Sequence, residues 1–136
     1  MHMFFRKASL WIIDDDPLML ALLERQLAKR RLSVTCFKNS TDAVLRLATS
    51  RPDMILLDMC MPEIDGPSAA RNIRLSGYRG AIVMLTATPD LSTKTAASAF
   101  GIETVMSKPA DYDIIKSLVI AAAARQKAGS APAHAD

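Results

Sequence analysis

The stretch Pro52-Asp53-Met54-Ile55-Leu56-Leu57-Asp58 decides how the rest of the chain is read. Met54 to Leu57 is a short, unbroken apolar run, as expected of a strand covered on both faces. Three further runs of this kind stand at Leu10 to Ile13, Ala81 to Leu85, and Val105 with Met106. Leu32 to Phe37 is a fifth, weaker candidate with partial alternation.

The intervals carry helical spacing. Pro17 to Arg30 places Leu18, Leu22, Leu23 and Leu27 at helical intervals, with Pro17 suited to a first turn and Asp16 to a cap. Ser40 to Thr49 sets Ala43, Val44, Leu47 and Ala48 on one face, with Ser40 or Thr41 as its cap. Pro67 to Leu75 follows Gly66, and the alanine-rich Asp90 to Phe100 stops at Gly101. Asp111 to Gln126 forms a last helix with Ile114, Ile115, Leu118, Val119 and Ala122 as its buried stripe. A strand followed by a helix, five times over, predicts an α/β domain built on a doubly wound parallel sheet.

Composition agrees with a single globular domain. The 136 residues suffice for a continuous core, and the 50% hydrophobic and 23% charged fractions are ordinary for one. The formal charge of +3 is small. Its clusters, Lys29-Arg30-Arg31 and Arg125 to Lys127, fall where helices should end and complement their dipoles. With no helix-turn-helix, zinc or aromatic RNA-binding pattern, direct nucleic-acid binding is not expected. No apolar run reaches the roughly 18 residues of a membrane span, and Met1 to Lys7 is not followed by a signal-peptide core, so a cytoplasmic location is expected. Cys36 and Cys60 lack metal-ligand spacing and read as two reduced thiols. Residues 1–9 read as an N-terminal extension, 10–127 as the domain, and 128–136 as a disordered tail or the start of a linker.

The chemistry gathers where the strands end. The first run stops at Asp14-Asp15-Asp16, the third at Asp58, the fourth at Thr86 and the fifth at Lys108. Ligands of open α/β sheets bind outside the carboxyl ends of the strands, so the fold brings these residues to one edge. Crowded carboxylates repel one another. A Mg²⁺ ion would resolve the conflict, since it takes hard oxygen ligands and needs only one or two carboxylates from the protein. An aspartate can then serve as nucleophile toward a phosphoryl group, with a lysine and a hydroxyl to meet the charge on its oxygens.

The segments Trp11 to Pro17, Pro52 to Pro62, Leu85-Thr86-Ala87 and Ser107-Lys108-Pro109 together resemble the signature blocks of response-regulator receiver domains, in order, over about Leu10 to Lys127. The resemblance implies a flavodoxin-like (βα)5 fold with a five-stranded parallel sheet in the order 2-1-3-4-5. It implies that Asp58 is the phosphoacceptor and that Mg²⁺ is held by Asp15 and Asp58, by Asp14 through water, and by the backbone carbonyl of Cys60. Thr86 would hydrogen-bond the phosphoryl group and Lys108 would pair with it, aimed by a cis Lys108–Pro109 bond. Gly66 matches the glycine that closes the loop after the phosphoacceptor. The donor would be a sensor histidine kinase or a histidine phosphotransfer protein, and a downstream protein effector would read the face from Asp90 to Gln126. Such a chain is a switch with at most slow autophosphatase activity rather than an enzyme.

Several residues favour plainer readings. Asp16 reads as a helix cap, Met59, Cys60 and Met61 as loop and packing residues, and His2 and His134 as parts of the chain ends. Val105 stands where the family often has an aromatic switch residue, and a stiff branched aliphatic cannot swing a ring. The coupled switch is therefore expected to be altered while the phosphorylation chemistry stays intact. Cys60 and Thr88 hold the two positions that tune phosphoryl lifetime in the family, and neither is a strong base, so slow self-dephosphorylation is expected. Two alternatives stand beside this reading. A haloacid-dehalogenase-type phosphatase also forms an aspartyl phosphate but wants an acid where Cys60 stands, and a larger chain. A degenerate receiver would dock partners without phosphorylation. The broad apolar circumference of Ile114 to Ala124 fits close packing on the sheet and also admits a weak homodimer. No effector domain follows Lys127, so the chain reads as a stand-alone receiver or the receiver piece of a longer protein.

Overall fold

The computed structural model describes residues 6–58, 66–87, 91–102 and 104–129. Five strands alternate with five helices: β1 (Ser9–Ile13), α1 (Pro17–Ala28), β2 (Ser33–Phe37), α2 (Ser40–Arg46), β3 (Met54–Asp58), α3 (Gly66–Leu75), β4 (Ala81–Thr86), α4 (Leu91–Ala99), β5 (Thr104–Ser107) and α5 (Tyr112–Gly129). The strands form one parallel sheet in the order β2-β1-β3-β4-β5. This is the doubly wound arrangement the strand–helix alternation predicts, and its strand order is the expected one.

The period of two along each central strand divides the core. Trp11, Ile13, Ile55, Leu57, Ile82 and Met84 meet Ala43 of α2, Leu47 at its C-terminal cap, Ala69, Ala70 and Ile73 of α3, and Ala97 of α4. Leu10, Ile12, Met54, Leu56, Val83 and Leu85 meet Leu20, Leu23 and Leu27 of α1 and Ile115, Val119 and Ala122 of α5. Both faces of β3 are therefore covered, which is why its sequence is apolar without alternation. Among described residues of α3 and α4, small alanines at the inner positions let those helices lie close to the sheet.

Some sequence expectations need correction. In α1 the buried stripe is Leu20, Leu23 and Leu27, whereas Leu18 and Leu22 are exposed, Leu18 at 81%. The leucine spacing contains two overlapping helical stripes, and docking on the sheet selects one. The cap of α2 is Asn39, whose side chain accepts from Asp42 N at 2.8 Å, and Ser40 is buried inside the first turn. This helix ends at Arg46, short of Thr49, and Ala48 is exposed. In α5, Ile114 is exposed and Leu118 only partly buried, and the helix runs on to Gly129. Asp111 precedes that helix and caps it, accepting from Asp113 N and Ile114 N, each at 3.1 Å. At the other end Ser9 already belongs to β1. Within the described residues, no helix is long and apolar enough to cross a membrane.

Candidate functional site

The carboxyl edge of the sheet collects the predicted residues. Asp14 follows β1, Asp58 ends β3, Thr86 ends β4, and Lys108 follows β5. Because β3 lies between β1 and β4, its last residue faces the turn after β1 on one side and the end of β4 on the other. Carboxylate oxygens of Asp14, Asp15 and Asp58 lie within 4.8 Å of one another. Lys108 Nζ stands 3.1 Å from Asp58 Oδ1. Asp14, Asp58 and Thr86 are buried, at 1%, 5% and 2% exposure, while Asp15 is open to solvent.

Local chain geometry fixes these positions. Asp14 N donates to Phe37 O at 3.1 Å, tying the end of β1 to that of β2. Asp14 Oδ1 accepts from Asp16 N at 2.9 Å, and Asp16 in turn accepts from Leu18 N at 3.0 Å as the cap of α1. Lys108 N donates to Thr86 O at 2.8 Å, which holds the lysine segment against β4. The Lys108–Pro109 bond is cis, as the resemblance implied.

The electrostatics are in conflict. Burial is the largest influence and pushes the Asp14 carboxyl up to about 6; the hydrogen bond from Asp16 N pulls the other way, the adjoining Asp58 carboxylate adds to the rise, and Lys108 opposes it. Asp14 Oδ2 is buried and finds no donor among the described residues. Buried oxygens are seldom left in that state, and such exceptions mark sites that take an ion or water. Hard oxygen donors around an orphaned, buried oxygen fit a divalent cation such as Mg²⁺. Asp14, Asp15 and Asp58 could hold it.

Not every predicted residue lies here. The backbone of Cys60, assigned to the metal, and Thr88, assigned to phosphoryl lifetime, fall outside the described residues, as do Met59, Met61, His2 and His134. Val105 is in the body of β5, partly buried against the α2–α3–α4 side of the core and paired in register with Met84. Gly66 begins α3. Sequence reading passed over Asp53, Arg74 and Tyr78, which organise the opposite edge. Asp53 had a signal, an acid immediately before a buried strand. Arg74 had none, because its partners are backbone carbonyls of Phe100, Tyr78 and Gly80, at 2.9, 3.0 and 2.8 Å.

Known proteins share both the pattern and the fold. Residues 10–120 match the family model described as the response regulator receiver domain. The chain is 32% identical over 114 residues to the DNA-binding transcriptional regulator NtrC of Salmonella typhimurium strain LT2, covering 84% of this chain and 24% of that protein. It is also 32% identical over 98 residues to the response regulator MprA of Mycobacterium sp. strain KMS, covering 72% of this chain and 43% of MprA. The chain thus spans less than half the length of these relatives. In fold it is similar to the chemotaxis protein CheY4 of Vibrio cholerae, with a TM-score of 0.77 at 22% identity over 83% of this chain and 97% of that one. The receiver domain of the Francisella response regulator 1452 gives a TM-score of 0.79 at 20% identity, over 88% and 99%. The family match over most of the length, together with the NtrC and MprA similarity, establishes that the chain belongs to the response regulator receiver domain family of two-component signalling.

Proposed function

We propose that this receiver domain is a phosphorylation switch whose acceptor is the Asp58 carboxylate. The observation that carries the reading is the convergence of Asp14, Asp15 and Asp58 within 4.8 Å, with Lys108 Nζ 3.1 Å from Asp58 Oδ1. Asp58 attacks the phosphorus of a phosphohistidine on a histidine kinase or phosphotransfer protein. An Asp58 Oδ–P bond forms, the donor P–N bond breaks, and the electron pair leaves on the imidazole nitrogen. Lys108 meets the charge on the phosphoryl oxygens, and the Thr86 hydroxyl hydrogen-bonds one of them. Bound Mg²⁺ would supply compensation for the clustered negative charge, held by Asp15, Asp58, Asp14 through water, and the Cys60 carbonyl.

The domain works in the cytoplasm as a switch rather than an enzyme, with at most slow self-dephosphorylation. Its output is a change in the face formed by α4, β5 and α5, read by a protein effector. Val105 alters this coupling, since valine is stiff about its first torsion and offers no ring to move. Thr86 and the neighbouring loop carry the change instead.

Acetyl phosphate labelling with Mg²⁺ tests the proposal. Wild type is expected to take up the phosphoryl group and Asp58→Ala to lose the label; equal labelling of both would sink the proposal. Chelation of the metal is expected to suppress labelling of the wild type. Identical loops after Thr86 in the free and beryllofluoride-bound protein would eliminate the switch while leaving the acceptor chemistry intact.

A further inference from the structure

The proposed phosphoacceptor site uses nothing at the amino edge of the sheet. There a cavity of about 630 Å³ opens between the segment before β1, the loop before β3, the α3–β4 loop and the last turns of α5. Its lining includes five cationic side chains, Arg6, Lys7, Arg51, Arg79 and Lys127. Asp53 is the acid among the lining residues, and it is already engaged by Ser9 N at 2.8 Å and Ser9 Oγ at 3.1 Å, with Arg6 Nη2 at 3.4 Å. For a chain with formal net charge +3, this is a strong local concentration of positive charge.

Helix-dipole compensation accounts for Lys127, in the last turn of α5, but not for the rest. Arg6 and Lys7 precede β1, while Arg51 and Arg79 lie beyond the ends of α2 and α3. Dipole effects fall off within one turn. Arg51 is also held, its Nη1 donating to Gly77 O at 3.1 Å, so at least one guanidinium is pre-oriented. A second observation comes from α5. Its Ile120 and Ala123 also line the cavity, and Ile120 is 49% exposed while its neighbour Val119 packs on the sheet.

From the cationic rim and the apolar residues of α5 together, we infer that this cavity binds a small phosphate-bearing molecule of nucleotide size. Its phosphates lie among Arg6, Lys7, Arg51 and Arg79, and its apolar moiety lies on Ile120. Guanidinium groups suit phosphate through parallel charge-assisted hydrogen bonds. The volume falls within the range of about 300–1,000 Å³ usual for small-ligand sites. A concave, one-sided cavity favours a compact ligand over an extended nucleic acid or a membrane surface.

The test is a titration of the full chain with ATP at about 0.15 M salt, followed by amide NMR and calorimetry. A chelator is present so that the acidic edge repels the nucleotide. Saturable shifts are expected around Arg51, Gly80 and Ile120, with affinity falling from ATP to AMP. Arg79→Glu is expected to weaken binding about tenfold or more, the loss of a charged hydrogen bond, while acetyl phosphate labelling is unchanged. Ile120→Asn is expected to weaken ATP and spare inorganic triphosphate. Shifts centred on Asp14 and Asp58, or undiminished affinity in Arg79→Glu, would overturn the assignment. So would binding of duplex DNA or phosphatidylglycerol vesicles without any ATP-induced shift at Gly80.

Discussion

Asp53 and Asp58 stand at opposite ends of one strand, both buried, in opposite electrostatic conditions. Asp53 precedes β3 and accepts from Ser9 N and Ser9 Oγ, while its own N donates to Ser9 Oγ at 2.9 Å. That reciprocal clasp ties the start of β3 to the start of β1. Asp58 ends the same strand against Asp14 and Asp15, with Lys108 as the opposing cation. Burial alone thus says little about a carboxylate's purpose. A buried acid whose oxygens meet donors holds the chain together, and one that faces other acids is set up for a cation or for chemistry.

The largest separation of the two should appear in stability. Asp53→Ala leaves the Ser9 donors without their acceptor and is expected to cost about 3 kcal/mol, with Asp58-dependent labelling retained. Asp58→Asn removes a crowded charge and is expected to raise the stability of the metal-free protein while abolishing labelling. Denaturant unfolding of the two variants decides the matter, and a loss of stability in both would break the contrast.

Asp14 sharpens the comparison through pH. Its folded carboxyl titrates near 6 against an ordinary 3.8, so between those values the folded state holds more protons than the unfolded one. Stability from this group is therefore full below about pH 4 and lost as pH rises through 6. Asp14→Asn should remove that slope and leave the variant more stable than wild type at neutral pH. Mg²⁺ should raise the melting temperature of wild type more than that of the variant, because binding to the folded state alone stabilises it. A wild-type melting temperature that climbs from pH 4 to 6 faster than that of the variant would contradict the assignment.

The acidic edge was legible in the sequence because its residues lie at the ends of strands. Asp14, Asp58 and Thr86 follow or end the buried runs of β1, β3 and β4, whose register the core fixes, and Lys108 follows the half-buried edge strand β5. The order of the strands came with the family resemblance, not with periodicity. Helix faces were harder, because α1 offers leucines on overlapping stripes and only docking on the sheet chooses Leu20, Leu23 and Leu27. The amino edge was largely hidden. Arg74 bonds backbone carbonyls, and Tyr78 donates its hydroxyl to Pro52 O at 3.0 Å, contacts that leave no residue-type pattern behind.

The finest test of the contrast lies within a single turn. Asp14 and Asp16 are two residues apart, yet Asp16 accepts from Leu18 N at 3.0 Å and Met19 N at 3.4 Å, while Asp14 keeps one buried oxygen that meets no donor among the described residues. Asp16→Ala should therefore destabilise by about 1 kcal/mol, the ordinary loss of a helix cap, opposite in sign to Asp14→Asn. Asp16 also presents its own N to Asp14 Oδ1, a backbone contact that survives the substitution, so labelling on Asp58 should persist. If Asp16→Ala instead raised stability in the absence of metal, repulsion would extend through the whole acidic segment, and the division between capping and conflicted carboxylates would have to be redrawn there.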